Sequence, residues 1–521
     1  MILTKPSKSE SPEQGLFFKT GLVSFWTFLS RVFGLLRDVV TTSLLGSSFA
    51  HDVFVVMLKI PNVFRRLVAE GAFNQAFVPV LTEYKNLNSF TETKDVINKS
   101  FTFIFLASGT LVGLVFIFTP LFVFIFAPGF YYDEAKLVLS QDILRITFPY
   151  LFFISLVALS GSILNTFGKF SVPAATPIFF NLSIILSAIY LRDYFENTVF
   201  AIAYGVIIAG IVQLLFQIKF LLDLKLLPSF DFKILNKGTK KIFNLMIPGI
   251  LAGGVIQLNI LIDTIFASLL ETGSPTWLYL SDRLIQLPLG IFGIAIATVI
   301  LPKLSSEYVT EKYLEFKENL KWGIELILIF AIPSSIALFN IGLPIIELLF
   351  VRGKFNDIDA NMTYMSLQAF SLGLFAFMLI KILSASFFAR QDTFTPLIIT
   401  IISFVMNVFL NYFLAFYLGY GHIGLALGSS IAAIVSVVIY YIILSRHSFI
   451  EVTLEGSIPM VKIIAANLIF YFVINFFANN ISAINDQLLS NLILLFGIVF
   501  LILFYFLTLY LLGFRTSYFR R

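Results

Sequence analysis

Long apolar runs separated by short polar ones dominate the chain. Apolar segments of at least about eighteen residues, enough to cross a bilayer core, predict helices near 20–45, 51–84, 98–127, 137–167, 171–193, 198–224, 241–269, 276–309, 319–350, 362–389, 394–418, 424–445, 458–481 and 487–513. The expected fold class is therefore an all-α polytopic membrane protein with fourteen transmembrane helices. Two of these runs break the apolar pattern. SFWTFLSRVFGLLRDVVTTSLLG (24–46) carries Arg31, Arg37 and Asp38, and DVFVVMLKIPNVFRRLVAEGAFNQAFVPVLTEY (52–84) carries Asp52, Lys59, Arg65, Arg66 and Glu70. At about 100° per residue, Arg31, Gly34, Arg37 and Asp38 share one polar arc of roughly 120° on the first helix. Each mid-bilayer charge costs roughly 2.5–3.5 kcal/mol if lipid-exposed. These side chains are therefore expected to face a wet cavity or partners, and a cationic cavity inside a membrane bundle suits an anionic ligand.

Loop charges fix the orientation. With the N-terminus inside, Lys85, Lys94, Lys99, Lys233, Lys237 and Lys240 fall on the cytoplasmic side, whereas only Lys136, Arg192, Arg352 and Lys354 fall outside, as the positive-inside rule expects. Dropping the second helix would invert every later loop and destroy that bias. The first nineteen residues are polar and contain Lys5, Lys8 and Lys19, which reads as a cytosolic tail without the short apolar core of a signal peptide.

The chain also repeats itself. DVVTTSLL (38–45) resembles DTIFASLL (263–270), FVPVLTEY (77–84) resembles ILPKLSSEY (300–308), Pro173 and Pro396 open corresponding helices, and AYG (203–205) matches ALG (426–428). These collinear matches predict two homologous six-helix lobes around a central cavity, related by a pseudo-twofold axis along the membrane normal. The expected divisions are a first lobe at 1–225, a cytoplasmic linker at 226–240, a second lobe at 241–446, and a C-terminal helix pair with a basic tail at 447–521. The basic segment 225–241 is expected on the cytoplasmic surface, and the apolar helix pair is suited to holding something greasy.

Composition narrows the chemistry. Hydrophobic residues make up 58% of the 521 and charged ones 12%, with a mean hydropathy of +0.94, outside the range of a globular enzyme. With no cysteine in the chain, disulfides, iron–sulfur clusters and thiol catalysis are excluded. His51, His422 and His447 stand apart, so no metal-ligand spacing exists. The chain has no phosphate-binding P-loop, nucleophile elbow or H-E-x-x-H run, so it is expected not to be an enzyme.

The chemistry then rests on intramembrane polar groups. Arginine suits diphosphate because its planar fork makes two parallel charge-assisted hydrogen bonds and stays protonated. Snorkelling, or local pairing such as Arg66 with Glu70, is the plainer explanation of such residues. In the second lobe, Asp282 and Arg283 precede the bend-prone QLPLGIFGIAIA, and Lys381, Glu325 and Glu347 lie in neighbouring helices. Asp263, Asn407, Asn411 and Ser429 offer oxygen donors on three helices. They could chelate a monovalent cation or hold helices together by hydrogen bonds.

SRVFGLLRD (30–38), the run 50–85 with its RR-x-x-AEGAF-x-QAFVP core, and SDRLIQLPLGIFGIAIATVILP (281–302) closely resemble the MurJ (MviN) family of lipid II flippases. That family lies within the multidrug/oligosaccharidyl-lipid/polysaccharide exporter superfamily. The resemblance spans all fourteen predicted helices. It implies a multi-pass protein of the bacterial inner membrane, both termini cytoplasmic, that moves undecaprenyl-diphosphate-linked disaccharide-pentapeptide to the periplasmic leaflet by alternating access. The family's cavity arginines match Arg31, Arg37, Arg66 and Arg283, and its cavity acids match Asp38 and Asp52. The last two helices correspond to a hydrophobic groove proposed for the polyprenyl tail. Some members are thought to bind sodium, at positions resembling Asp263, Asn407, Asn411 and Ser429; here Asn411 and Ser429 stand where an acid and a threonine are expected. The implied partners are lipid II, membrane lipids and other cell-wall synthesis proteins, with no nucleic acid and no cofactor beyond a sodium coupling ion. A flippase for another polyprenyl-linked glycan would look alike, whereas an ion-coupled drug exporter of the same superfamily would carry an acidic cavity for its cationic substrates.

Overall fold

A computed structural model describes residues 12–67, 73–447, 449, 454–481, 486–515 and 518. Among them every regular element is helical, and the one backbone bridge, between Arg352 and Phe355, closes a tight turn. Eleven helical stretches are long and apolar enough to cross a membrane. The expected spans 20–45, 51–84 and 241–269 are carried by helices outside that set: Pro12–Leu45, the pair Phe49–Phe64 and Phe73–Leu87, and the 32-residue Lys237–Ser268. The first two hold the membrane-depth charges.

Several predicted single helices are interrupted, each at a residue that disturbs the hydrogen-bond ladder. The stretch 51–84 passes from α geometry into a π turn at 65–67, just past Pro61, and is α-helical again where its description takes up at Phe73; residues 68–72 lie outside the described residues. Span 137–167 divides into Glu134–Thr147 and Tyr150–Thr166 around Pro149, which has no N–H to give. Span 276–309 divides into Ser274–Pro288 and Ile294–Val309 through one π-helical turn, Leu289–Gly293. The helix Phe394–Asn411 likewise passes into a π turn at Tyr412–Tyr417, and the long Tyr313–Phe350 kinks at Ile341, three residues before Pro344.

Contacts divide the chain into two compact units, Met1–Leu45 with Phe49–Leu261, and Gly46–Ser48 with Ile262–Arg521. The division falls inside Lys237–Ser268. In the first unit one apolar core gathers Val53, Ile60, Phe148, Ile154 and Val206, and a second gathers Phe77, Leu81, Val96, Ile163 and Ile242. Segment 226–240 packs within this unit: Leu226 and Thr239 are buried. The helix Phe90–Ile117 starts on a reciprocal cap at Ser89, whose hydroxyl accepts from the Glu92 N–H while Glu92 reaches back.

The second unit is built on Asp357–Ala389, which begins with a reciprocal cap between Asn356 and Asp359. Gly373 brings it against Gly421–Arg446, since a Cβ there would lie 2.7 Å from the Ser430 Cα. The C-terminal pair, Leu454–Ile481 and Gln487–Leu511, is fastened to Tyr313–Phe350 by Tyr505, whose hydroxyl donates to the Ile329 carbonyl at 2.9 Å and accepts from Asn467 at 3.3 Å. Outward from that anchor the pair shows Phe472, Phe496 and Leu511, each two-thirds exposed or more. In water, apolar area left uncovered forgoes about 25 cal/mol per Å²; a bilayer removes that deficit.

Candidate functional site

The charged string of the first unit begins on Pro12–Leu45, which packs along Ser171–Tyr190. Asn181 ties the two together by donating to the Ser30 carbonyl at 3.2 Å. One residue on, Arg31 is exposed and has no hydrogen bond or ion pair among the described residues. Arg37 behaves differently. Its Nη2 lies 2.6 Å and its Nε 3.0 Å from Asp38 Oδ1. Asp38 is 1% exposed, and the guanidinium also stands 5.7 Å from the Phe180 ring centre. Thr41 donates to the carbonyls of Arg37 and Asp38, fixing the backbone under the pair. The helical wheel separates Arg37 from Asp38 by about 100° at Cβ, yet the arginine's length lets its head fold back onto the neighbouring carboxylate.

On Phe49–Phe64, His51 and Asp52 are buried and Lys59 is half-buried; past its end Arg65 is half-buried and Arg66 exposed. The expected Arg66–Glu70 pair involves Glu70, which lies outside the described residues. Asp282 and Arg283 belong to the second unit, on Ser274–Pro288, where Asp282 is exposed and accepts from Gln286 at 3.3 Å while Arg283 is half-buried. Arg31, Arg37, Asp38, Asp52, Arg65 and Arg66 thus reside in one unit, and Asp282 with Arg283 in the other.

The second unit brings the four oxygen-bearing residues together in one hydrogen-bonded string. Asn411 Nδ2 donates to Asp263 Oδ1 at 2.7 Å and to Asn407 Oδ1 at 3.0 Å, and Asn407 Nδ2 donates to Ser429 Oγ at 3.0 Å. Asn407 and Asn411 are buried one turn apart at the end of Phe394–Asn411. Asn411 Oδ1 is buried and accepts no hydrogen bond among the described residues. The donor set, one carboxylate with two amide oxygens and a hydroxyl, is hard and singly charged, which fits a sodium ion better than a transition metal. A half-turn of the Asn411 amide would exchange its NH₂ for that orphaned oxygen, turning the donor at the centre of the string into an acceptor. Sequence reasoning missed two supports of this string. Gly428 lies against the Asn411 amide so closely that any Cβ would collide with it, and the π turn at Tyr412–Tyr417 begins at the next residue. The ALGSS run around Gly428 is the signal that could have found the first.

The sequence model of the family described as "Lipid II flippase MurJ" matches residues 41–486. A protein of Vibrio cholerae named "Probable lipid II flippase MurJ" is 44% identical over 81% of this chain and 82% of its own length. A Haemophilus influenzae protein of the same name is 39% identical over 84% and 88%. Among solved structures, one described as "Lipid II flippase MurJ, inward closed conformation" superposes with a TM-score of 0.79 at 28% identity, covering 94% of this chain and 98% of that one.

Proposed function

This chain belongs to the MurJ family of lipid II flippases, and from that premise we propose how its charged residues carry a lipid-linked diphosphate across the membrane. The protein is a multi-pass membrane transporter whose substrate is lipid II. The observation that carries the mechanism is the contrast along Pro12–Leu45: Arg31 stands unengaged at membrane depth among the described residues, and Arg37 is steadied by Asp38.

Arg31, with Arg37, Arg65 and Arg66 in the first unit and Arg283 in the second, binds the diphosphate as the headgroup enters from the cytoplasmic side. Each fork offers parallel donors to phosphate oxygens, and a site away from bulk water strengthens each bond. Asp38 keeps Arg37 from reaching solvent, and Asp38, Asp52 and Asp282 temper the positive charge so that the product can leave. The units alternate access, and the headgroup is released on the periplasmic side of the inner membrane with both termini cytoplasmic. A membrane potential, negative inside, favours that direction: two phosphate charges moving outward gain about 4–5 kcal/mol per 100 mV. A sodium ion, held by Asp263, Asn407, Asn411 and Ser429, would add a second gradient. Fourteen spans and a polyprenyl groove on the C-terminal pair complete this reading.

The test is transport by the purified chain in vesicles containing lipid II, read as lipid newly accessible on the opposite leaflet. Wild type should move it, and Arg31→Ala should be slowed at least about tenfold, the loss of one charge-assisted fork. Equal rates for the two would overturn the arginine mechanism.

A further inference from the structure

The segment between Thr198–Asp223 and Lys237–Ser268 is not a slack tether. Its backbone is pinned at successive turns of Phe90–Ile117: the Ser229 N–H donates to Asn98 Oδ1 at 2.9 Å and the Asp231 N–H to Thr102 Oγ1 at 2.9 Å. Asn236 Nδ2 donates to Asp95 Oδ2 at 2.7 Å. Phe230 is wedged edge-on against Phe105 at 5.0 Å and lies 5.2 Å from Phe101, and Phe232 stacks on Phe230 at 6.1 Å. Two apolar side chains of this pinned strap stand open, with Phe232 74% and Leu235 73% exposed.

The charges around it are sorted by sign. The carboxylates are mostly engaged: Asp95 and Asp231 share Lys99 at 2.7 and 3.7 Å, and Glu83 holds Lys241 at 2.5 Å. Lys225, Lys233, Lys237 and Lys240 are exposed without an ion pair among the described residues; the exposed carboxylates near them are Asp223 and, one turn before Asp95, Glu92. An ordered strap thus presents two apolar tips flanked by four free ammonium groups.

We infer that this strap is a docking surface for anionic phospholipid of the cytoplasmic leaflet, with Phe232 and Leu235 entering the headgroup region while Lys225, Lys233, Lys237 and Lys240 engage lipid phosphates. The inference rests on the proposed orientation, which puts this end of both helices at the inner leaflet. Apolar tips flanked by cations match an interface whose outer layer is anionic and whose next layer is hydrocarbon. An acidic protein would match the lysines and leave the tips unsatisfied.

Because the chain has no cysteine, a single Leu235→Cys in the full-length protein can carry a spin label. Its accessibility to oxygen and to a water-soluble nickel chelate is read in vesicles of phosphatidylglycerol with phosphatidylcholine, and of phosphatidylcholine alone. The label should be oxygen-accessible and nickel-shielded in the anionic vesicles only. Each Lys→Gln change at the four positions should shift its partition toward water about fivefold. Immersion that is equal in neutral vesicles, or a label in water in both, would overturn the proposal; the second result would mark the face as a protein contact or plain solvated surface. Lipid II transport by the same labelled protein in the same anionic vesicles is read separately. Its failure would count against the flippase mechanism and leave the depth result standing.

Discussion

A lone arginine at membrane depth and a paired one ask different things of the fold. Arg31 contributes no described partner to stability, so Arg31→Ala is expected to change unfolding free energy by less than about 0.5 kcal/mol while slowing transport at least about tenfold. Arg31→Lys should fall between, because it keeps the charge and loses the fork. Thermal unfolding beside transport rates separates the two effects. The charges themselves were legible in the sequence, since the cost of placing Arg31 or Asp38 in hydrocarbon is a matter of residue type and depth. The Arg37–Asp38 pair was not, because a helical wheel locates Cβ atoms and says nothing of where a long side chain's head comes to rest. Outside the spans, Asp392 tests the electrostatics at a loop. Burial pushes its carboxyl up, but the Thr395 N–H and hydroxyl, at 2.9 and 2.7 Å, and the nearby Arg390 outweigh burial and hold it below its ordinary value. A depressed folded value means that this contribution is present above the unfolded carboxylate range, near about pH 3.9, and is lost as pH falls through the folded value. Asp392→Asn should therefore lower the melting temperature at pH 7 and cease to matter in strong acid; an equal effect at both would contradict this.

At the scale of elements, the hydropathy of the chain located the long helices well and their interruptions poorly. A window average registers an apolar run whether or not its ladder is broken, which is why the division at Pro149 and the π turn after Phe64 went unseen. The bend-prone composition of QLPLGIFGIAIA did mark its own site. Asn407 and Asn411 were expected on one face from their spacing, and the structure adds that Asn411 joins Asp263 to Asn407. That junction depends on Gly428. Gly428→Ala should displace the Asn411 amide and cost about 1–3 kcal/mol, measured by thermal unfolding. If the string holds sodium, sodium should raise the melting temperature of wild type in proportion to RT ln(1 + [Na⁺]/Kd) and potassium should not. Asp263→Asn should lose that rise, and a sodium effect surviving in Asp263→Asn would remove the string from ion binding.

At the scale of the whole molecule, the all-helical membrane architecture and the family were both readable, the first from hydropathy and the second from the runs around Arg31, Arg65 and Arg283. The residues of the proposed diphosphate site fall in two compact units, so its action is tested best where the protein works. The decisive measurement is the accessibility of lipid II at the outer leaflet of cells depleted of this protein and supplied with wild type or Arg31→Ala, in a strain with no second flippase. Wild type should restore outer-leaflet lipid II and Arg31→Ala, present at equal abundance, should not. Restoration by Arg31→Ala as complete as by wild type would contradict the account.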